Sequence, residues 1–228
     1  MSRVIAGLAL LVIGACGLTW VLAERPDRTV SLMGRPTWQL AGALPSAADF
    51  PADWGYTLAG NLGRVTALPV PAPQPPADPD SYRPAECGQF PSIDQMPGQA
   101  LGSTAAASVD VNLPGENYQL GHKAHFNLYA VDDPGALIGE YTDWVVRCTS
   151  YRNVAVNPST GGIEYRDVTQ VADTRLPDGV DFGVSVNGSR MYYAVRGVVL
   201  QVWTNLEGAD QALIADLAAR TARKLRAL

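Results

Sequence analysis

Charged residues are scarce in this chain: they make up 17% of its 228 residues, and only two of them are lysines. The formal net charge is −5, so the chain lacks the basic surface with which proteins displace counterions from nucleic acid. Hydrophobic residues make up 47%, which is too many for a disordered chain. A mean hydropathy of 0.00 is too low for several membrane spans. The length fits one domain with an attachment segment, or at most two small domains.

Known catalytic motifs are also missing. The chain has no phosphate loop, dinucleotide fingerprint, His-Glu-x-x-His pair or Gly-x-Ser-x-Gly elbow. Its two histidines, His122 and His125, lie three residues apart in a segment that alternates like a strand. They should therefore point to opposite faces, and no metal site is expected. Cys87 and Cys148 lack the Cys-x-x-Cys spacing of redox enzymes. We expect no enzymatic activity, no metal and no cofactor.

A long uncharged apolar run occurs at the N-terminus, from Val4 to Ala23. As a helix, a run of this length crosses a hydrocarbon core of about 30 Å. We predict that residues 1–23 are an uncleaved transmembrane signal anchor, with residues 24–35 as a polar tether. The alternative is a lipoprotein signal peptide, because the residues that end at Cys16 are similar to a lipobox. Cys16 is then the candidate lipidation site.

The location of the remaining chain is judged from charge and cysteine. Arginines after the apolar run outnumber the positive charges before it by one, which favours a cytoplasmic C-terminal part. The similarity of the N-terminus to an export signal favours the opposite orientation. Cys87 and Cys148 are an even pair that could join in an oxidising compartment, although two unrelated buried thiols are the alternative. We predict a cell-membrane protein with one N-terminal anchor and an extracytoplasmic C-terminal domain over residues 36–228.

The first part of this domain is predicted to contain a proline-rich loop, a strand and a helix. Residues 69–84 are rich in proline, which predicts an extended, semi-rigid loop. Tyr118 to Val131 alternates like a strand. Asp133-Pro134 marks a helix start, and apolar positions spaced by three and four then predict a helix over Ala136 to Thr149, with Cys148 on its buried stripe.

The last third of the chain carries the clearest signals. Phe182 to Val195 predicts a β-hairpin, because its central Asn187-Gly188 tolerates positive φ. Val198 to Thr204 predicts a central or half-buried strand, and Ile163 to Val171 a further strand. Asp210 to Leu228 predicts an amphipathic helix. The expected fold class is α+β, with a mostly antiparallel β-sheet on which two or more helices pack.

Aromatic residues are concentrated in these same elements. Core packing is the ordinary role of such side chains, and a ligand pocket is the alternative. The candidate cleft-lining residues are Trp144, Tyr141, Tyr193 and Trp203.

Several short motifs together resemble a known group. They are Leu44-Pro45 with Phe50-Pro51, Pro84 to Cys87, Trp144 to Cys148, the hairpin region from Gly188 to Val202, and the terminal helix. In these the chain resembles the PknH-like extracellular sensor domains and the related small anchored or lipidated envelope proteins of mycobacteria and other actinobacteria. The resemblance covers roughly residues 36–228.

This resemblance implies a mostly antiparallel sheet with packed helices, a cleft that takes a small molecule, and an extracytoplasmic location. The chain departs from the kinase-linked sensor in two respects. It can form one disulfide from Cys87 and Cys148 instead of two, and it has no room for a kinase, so any signal must pass to another protein.

The function expected from the sequence is that of a membrane-anchored extracytoplasmic sensor-like or ligand-binding domain without catalytic activity. Its ligand would be an envelope lipid, a glycan or another small molecule. The alternative is a structural or assembly protein of the cell envelope that acts through protein partners, with the proline-rich loop and the terminal helix as its surfaces. Nucleic acid is not an expected partner.

Overall fold

The structure is a computed structural model that describes residues 30–60, 81–95, 106–115, 121–156 and 161–228. Its strands are β1 (Gly55–Gly60), β2 (Tyr82–Arg83), β3 (Ala106–Asn112), β4 (Lys123–Ala130), β5 (Ser150–Val156), β6 (Ile163–Thr169), β7 (Ala172–Asp173), β8 (Phe182–Val186), β9 (Arg190–Val195) and β10 (Val198–Thr204). Its α-helices are α1 (Thr37–Ala41), α2 (Ser92–Gln95), α3 (Pro134–Arg147) and α4 (Gly208–Ala227), and short 3-10 helices cover Ala47–Asp49 and Ala85–Gly88.

The described strands form two antiparallel sheets. The larger sheet has seven strands in the order β1-β3-β4-β10-β9-β8-β7, and the smaller has the order β2-β5-β6. Every pairing is antiparallel. With the helices packed on the larger sheet, the predicted α+β class is confirmed.

Strand β10 occupies the centre of the larger sheet, as its β-branched and aromatic composition predicts. Two tight turns flank β9. Asn187 and Gly188 both have positive φ in the turn between β8 and β9, which confirms the predicted hairpin. Arg196 and Gly197, also with positive φ, join β9 to β10. The consecutive hairpins place β8, β9 and β10 side by side.

One face of the larger sheet is closed by α4 and by the segment around α1. The buried side chains of α4 are Ile214, Leu217, Ala218, Thr221, Ala222 and Leu225, which is the stripe that the sequence predicts. They pack in one core with alternate residues of β3, β4, β9 and β10 and with Leu32, Leu40 and Phe50. Residue Leu32 is also fastened to the β9–β10 turn, since its backbone N–H donates to the carbonyl of Arg196 at 2.8 Å.

The opposite face carries α3, which begins two residues before the predicted helix and ends two residues earlier. The side chain of Asp133 accepts from the N–H of Ala136 at 2.9 Å and caps the helix. Beneath α3 lies a second core that contains Tyr129, Tyr141, Trp144 and Tyr192.

A disulfide joins Cys87 to Cys148, so the predicted pairing is present in the structure. Cys87 belongs to the 3-10 helix Ala85–Gly88, and Cys148 directly follows α3. Both side chains are fully buried. The bond therefore fixes the end of α3 to a chain segment 61 residues away.

Several predictions concern residues outside the described ones. These are the anchor at 1–23 with Cys16, most of the tether at 24–35, and residues 69–80 of the proline-rich loop. Among the residues that the structure does describe, no helix combines the length and the apolar character needed to cross a membrane.

Candidate functional site

A cleft of about 750 Å³ lies between the two sheets, at the end of the larger sheet where β9 begins and β10 ends. The smaller sheet supplies one wall, and the β8–β9 turn, the end of β10 and the start of α4 supply the rest. Its lining consists of Tyr151, Arg166, Val168, Val186, Asn187, Ser189, Arg190, Trp203, Thr204, Asn205, Leu206, Glu207 and Gln211. The cleft thus combines aromatic, charged and amide side chains from separate parts of the chain.

The smaller sheet presents its lining residues by strand alternation. Tyr151 of β5 pairs with Val168 of β6, and Arg166 lies two residues before Val168. These three side chains share one face of the sheet, because residues two apart on a strand point the same way. Tyr151 is supported from behind by Trp144, with ring centroids 6.1 Å apart.

Asn187 ties the β8–β9 turn to its surroundings. Its Oδ1 accepts from the N–H of Val171 at 2.8 Å, and its Nδ2 donates to the carbonyl of Thr169 at 2.9 Å. The side chain of Gln211 on α4 donates to the Asn187 carbonyl at 3.0 Å. The turn is therefore connected both to the chain leaving β6 and to α4, so the parts that line the cleft hold each other in place.

Arg190 is positioned by a carboxylate behind it. Its Nη1 donates to both oxygens of Asp94, at 3.2 and 3.0 Å, and the Tyr192 hydroxyl donates to the same carboxylate at 2.9 Å. Burial opposes the charge of Arg190, but Asp94, Tyr141 and Tyr192 outweigh it and raise the pKa of the guanidinium above its ordinary value. Arg190 stays charged and keeps its direction, and 36% of its side chain remains exposed.

Trp203 lies on β10, between its register partners on the two neighbouring strands. On one side its partner in the register is Arg190, and on the other it is His125, whose ring centroid lies 5.3 Å from the indole. The ammonium of Lys123 lies 5.9 Å from the indole centroid. Nδ1 of His125 in turn pairs with the carboxylate of Asp110 on β3. The orientation of the indole is therefore set by its neighbours in the sheet.

The four candidate cleft residues lie in different places. Trp203 lines the cleft. Tyr141 and Trp144 are buried in the core beneath α3, and Tyr193 is buried in the core on the other face of the sheet. For these three, packing against the sheet determines the position. Desolvation raises the pKa of Tyr141 and of Tyr193 to about 12 in each case.

The polar pair beside Trp203, outside the lining of the cleft, was not predicted from the sequence. The Asp110–His125 pair joins two neighbouring strands, and only the register between β3 and β4 brings the two residues together. The spacing of His122 and His125 in the sequence does not indicate that Asp110 is the partner of His125. Within the described part of the chain, no group of three or more His, Cys, Asp or Glu side chains could hold a metal ion.

The fold and the cleft define the class of domain: it is α+β, and its three-stranded and seven-stranded antiparallel sheets border an open cleft. No model of a known protein family matches the chain. No curated protein matches it either. Among solved structures it is similar to the extracellular domain of PknH from Mycobacterium tuberculosis, with 17% sequence identity and a TM-score of 0.45. The match covers 84% of this chain and 97% of that one. At this identity the roles of individual residues do not transfer from one chain to the other.

Proposed function

We propose that this protein is a membrane-anchored extracytoplasmic domain that binds a small ligand in the cleft between its two sheets and catalyses no reaction. The observation that carries the proposal is the cleft itself. Its volume of about 750 Å³ lies within the usual range of ligand pockets, roughly 300–1,000 Å³.

Contacts within the protein hold the lining side chains of the cleft in place, which supports a binding role. Arg190 is held by Asp94, Tyr151 by Trp144, and the β8–β9 turn by the hydrogen bonds of Asn187. A preformed site avoids the entropy cost of ordering side chains on binding. The lining combines two aromatic rings, those of Tyr151 and Trp203, with eight polar or charged side chains. It is therefore more polar than most ligand sites and suits a polar ligand.

The disulfide supports the proposed location, because such bonds persist mainly in oxidising compartments. Trapping the thiols of growing cells with acid and then denaturing the protein in a maleimide tests this part. Cys87 and Cys148 should be labelled after reduction and should not be labelled without it. Labelling of both thiols without any reductant would contradict an oxidising location.

Native mass spectrometry of the full chain, extracted from the membrane of its own cells, tests the binding role. We expect a bound small molecule that is lost when the cleft is filled by Val168→Trp. The matched control is Thr169→Trp, because Thr169 is the next residue of β6 and points away from the cleft. Absence of any bound molecule in the unmodified protein, or equal retention in both variants, counts against the proposal.

A second candidate function is a structural or assembly role in the envelope through protein partners. Strand β6 lies at the edge of the smaller sheet, and Ile163 and Tyr165 on it are 61% and 60% exposed. Exposed apolar residues on an edge strand favour pairing with another chain. A photo-crosslinking residue at position 165 should then capture a discrete protein, whereas one at exposed Ala212 on α4 should not.

A further inference from the structure

We infer that the ligand class of the cleft is a short, uncharged glycan; this inference rests on the binding function proposed above. Three properties of the lining support it: its charges balance, it offers both hydrogen-bond donors and acceptors, and it has an aromatic side chain on each of two walls. Together these properties match a sugar ring, which has an apolar C–H face and a rim of hydroxyl groups.

The charges that line or support the cleft sum to zero. Arg190 and Arg166 line it, and Glu207 lines it at the start of α4. Arg190 is already neutralised by Asp94, which receives two hydrogen bonds from it. The two arginines are thus matched by two carboxylates. An anionic ligand would gain from the arginines but would be opposed by Glu207, whereas an uncharged ligand meets no such opposition.

The same side chains provide donors and acceptors together. Guanidinium groups only donate, carboxylates only accept, and a hydroxyl can do both. Sugar hydroxyls can therefore accept from Arg166 or Arg190 and donate to Glu207. A site built for a simple carboxylate or phosphate needs donors alone.

Aromatic residues face the cleft from both sheets. Trp203 belongs to the larger sheet, and Tyr151 belongs to the smaller one. Each is fixed from its other side, Trp203 by His125 and Tyr151 by Trp144. Rigid aromatic surfaces bury an apolar ring face at little entropy cost, and the cleft volume leaves room for more than one ring.

The test uses the full chain in a detergent without a sugar headgroup, since alkyl glycosides would compete for the site. The protein is applied to a printed array of neutral, amino and acidic oligosaccharides, and the best neutral trisaccharide is then titrated by calorimetry. We expect saturable binding that is abolished by Val168→Trp. Trp203→Ala should weaken binding about tenfold or more, and the matched control Trp38→Ala, an indole that is 59% exposed outside the cleft, should not.

Charge variants separate a glycan from an anion. With an uncharged glycan, Glu207→Gln should change the affinity by less than about threefold, and raising the salt concentration should have little effect. Arg166→Ala should weaken binding, whereas Arg147→Ala on the outer surface of α3 should not. Circular dichroism of each variant confirms folding.

Three outcomes overturn the inference. One is the absence of binding to every neutral glycan. Another is that acetate, inorganic phosphate or phosphatidylglycerol vesicles bind more tightly than the glycan, and that this binding is strengthened by Glu207→Gln and weakened by salt. The ligand is then an anion, and the proposed binding function stands. The third is glycan binding that Val168→Trp leaves intact, which places the site elsewhere. If native mass spectrometry also finds no bound molecule, the binding function fails together with the glycan inference.

Discussion

Removal of the disulfide tests how the domain is held together. The double variant Cys87→Ala/Cys148→Ala frees the end of α3 from the 3-10 helix Ala85–Gly88. The bond closes a loop across a sequence separation of 61 residues, and in the chain-entropy treatment a loop of that size contributes about 4 kcal/mol to the free energy of unfolding. For a domain of this size, that corresponds to a fall in Tm of roughly 8–16 °C.

The loss should be uneven across the fold. The disulfide borders the core beneath α3, where Trp144 packs against Phe90 and Tyr151. The opposite core, which α4 covers, contains neither cysteine. We therefore expect amide hydrogen exchange to become faster in α3 and β5, with little change in α4.

The measurement is a urea titration of the full chain in detergent, comparing the oxidised protein, the reduced protein and the double variant. Reduced protein and variant should agree within about 1 kcal/mol, which separates the effect of the bond from that of the lost sulfur atoms. A loss below about 1 kcal/mol, or equal acceleration of exchange in α3 and α4, would refute the reasoning.

Three further predictions concern single positions. Gly183→Ala should destabilise the domain by several kcal/mol, because its new Cβ would lie 2.8 Å from a backbone carbonyl oxygen. Gly139→Ala should stabilise α3 by up to about 1 kcal/mol, because no atom lies within 4 Å of the new Cβ. Thermal unfolding compares the two variants. Asp94→Ala should lower the free energy of unfolding by about 1–2 kcal/mol, since it removes the partner of the Arg190 guanidinium, whose side chain is 36% exposed. It should also weaken binding of the neutral trisaccharide in calorimetry. Stability should fall above pH 10, because Tyr141 and Tyr193 keep their protons up to a pKa of about 12, whereas the unfolded chain releases them near pH 10.

The alkaline prediction follows from the direction of the pKa shift. Below pH 10 both states hold the tyrosine protons, so this contribution does not vary with pH. Between pH 10 and 12 only the unfolded state loses them, and each tyrosine lowers the free energy of unfolding by about 1.4 kcal/mol per pH unit. Urea titrations at several pH values measure the slope, and Tyr193→Phe should reduce it. An unchanged slope in that variant would contradict the alkaline prediction. Equal effects of the two glycine substitutions would contradict the prediction for Gly183. Full ligand affinity after Asp94→Ala would contradict the role given to Asp94.

Local signals predicted the elements that they encode directly. The hairpin around Asn187-Gly188, the strand β10 and the helices α3 and α4 follow from turn chemistry, β-branched composition and apolar spacing. Strands β1, β3 and β5 and the two-residue strands β2 and β7 were missed. Polar residues alternate with small or apolar ones in β3, and only three residues of β5 are aliphatic, so neither of these two stands out as a strand until its partner is known.

The cleft was harder to predict than the fold. Its lining comes from β5, β6, the β8–β9 turn, the end of β10 and the start of α4, and no periodicity in the sequence links these places. Of its residues only Trp203 was proposed beforehand. Arginine, amide and serine side chains such as Arg166 and Ser189 are ordinary surface residues, and only the separation of the strands into two sheets shows that they share one cavity.

The attachment of Leu32 to the β9–β10 turn bears on how the domain would be presented to its surroundings. Leu32 bonds to Arg196 in the turn that precedes β10. Strand β10 begins at Val198, and Trp203 lies five residues further along, near its other end. At about 3.3 Å per residue these points are separated by roughly 17 Å. The first residues that the structure describes therefore lie at the far end of β10 from the cleft, and a large polymer could reach Trp203 without passing them.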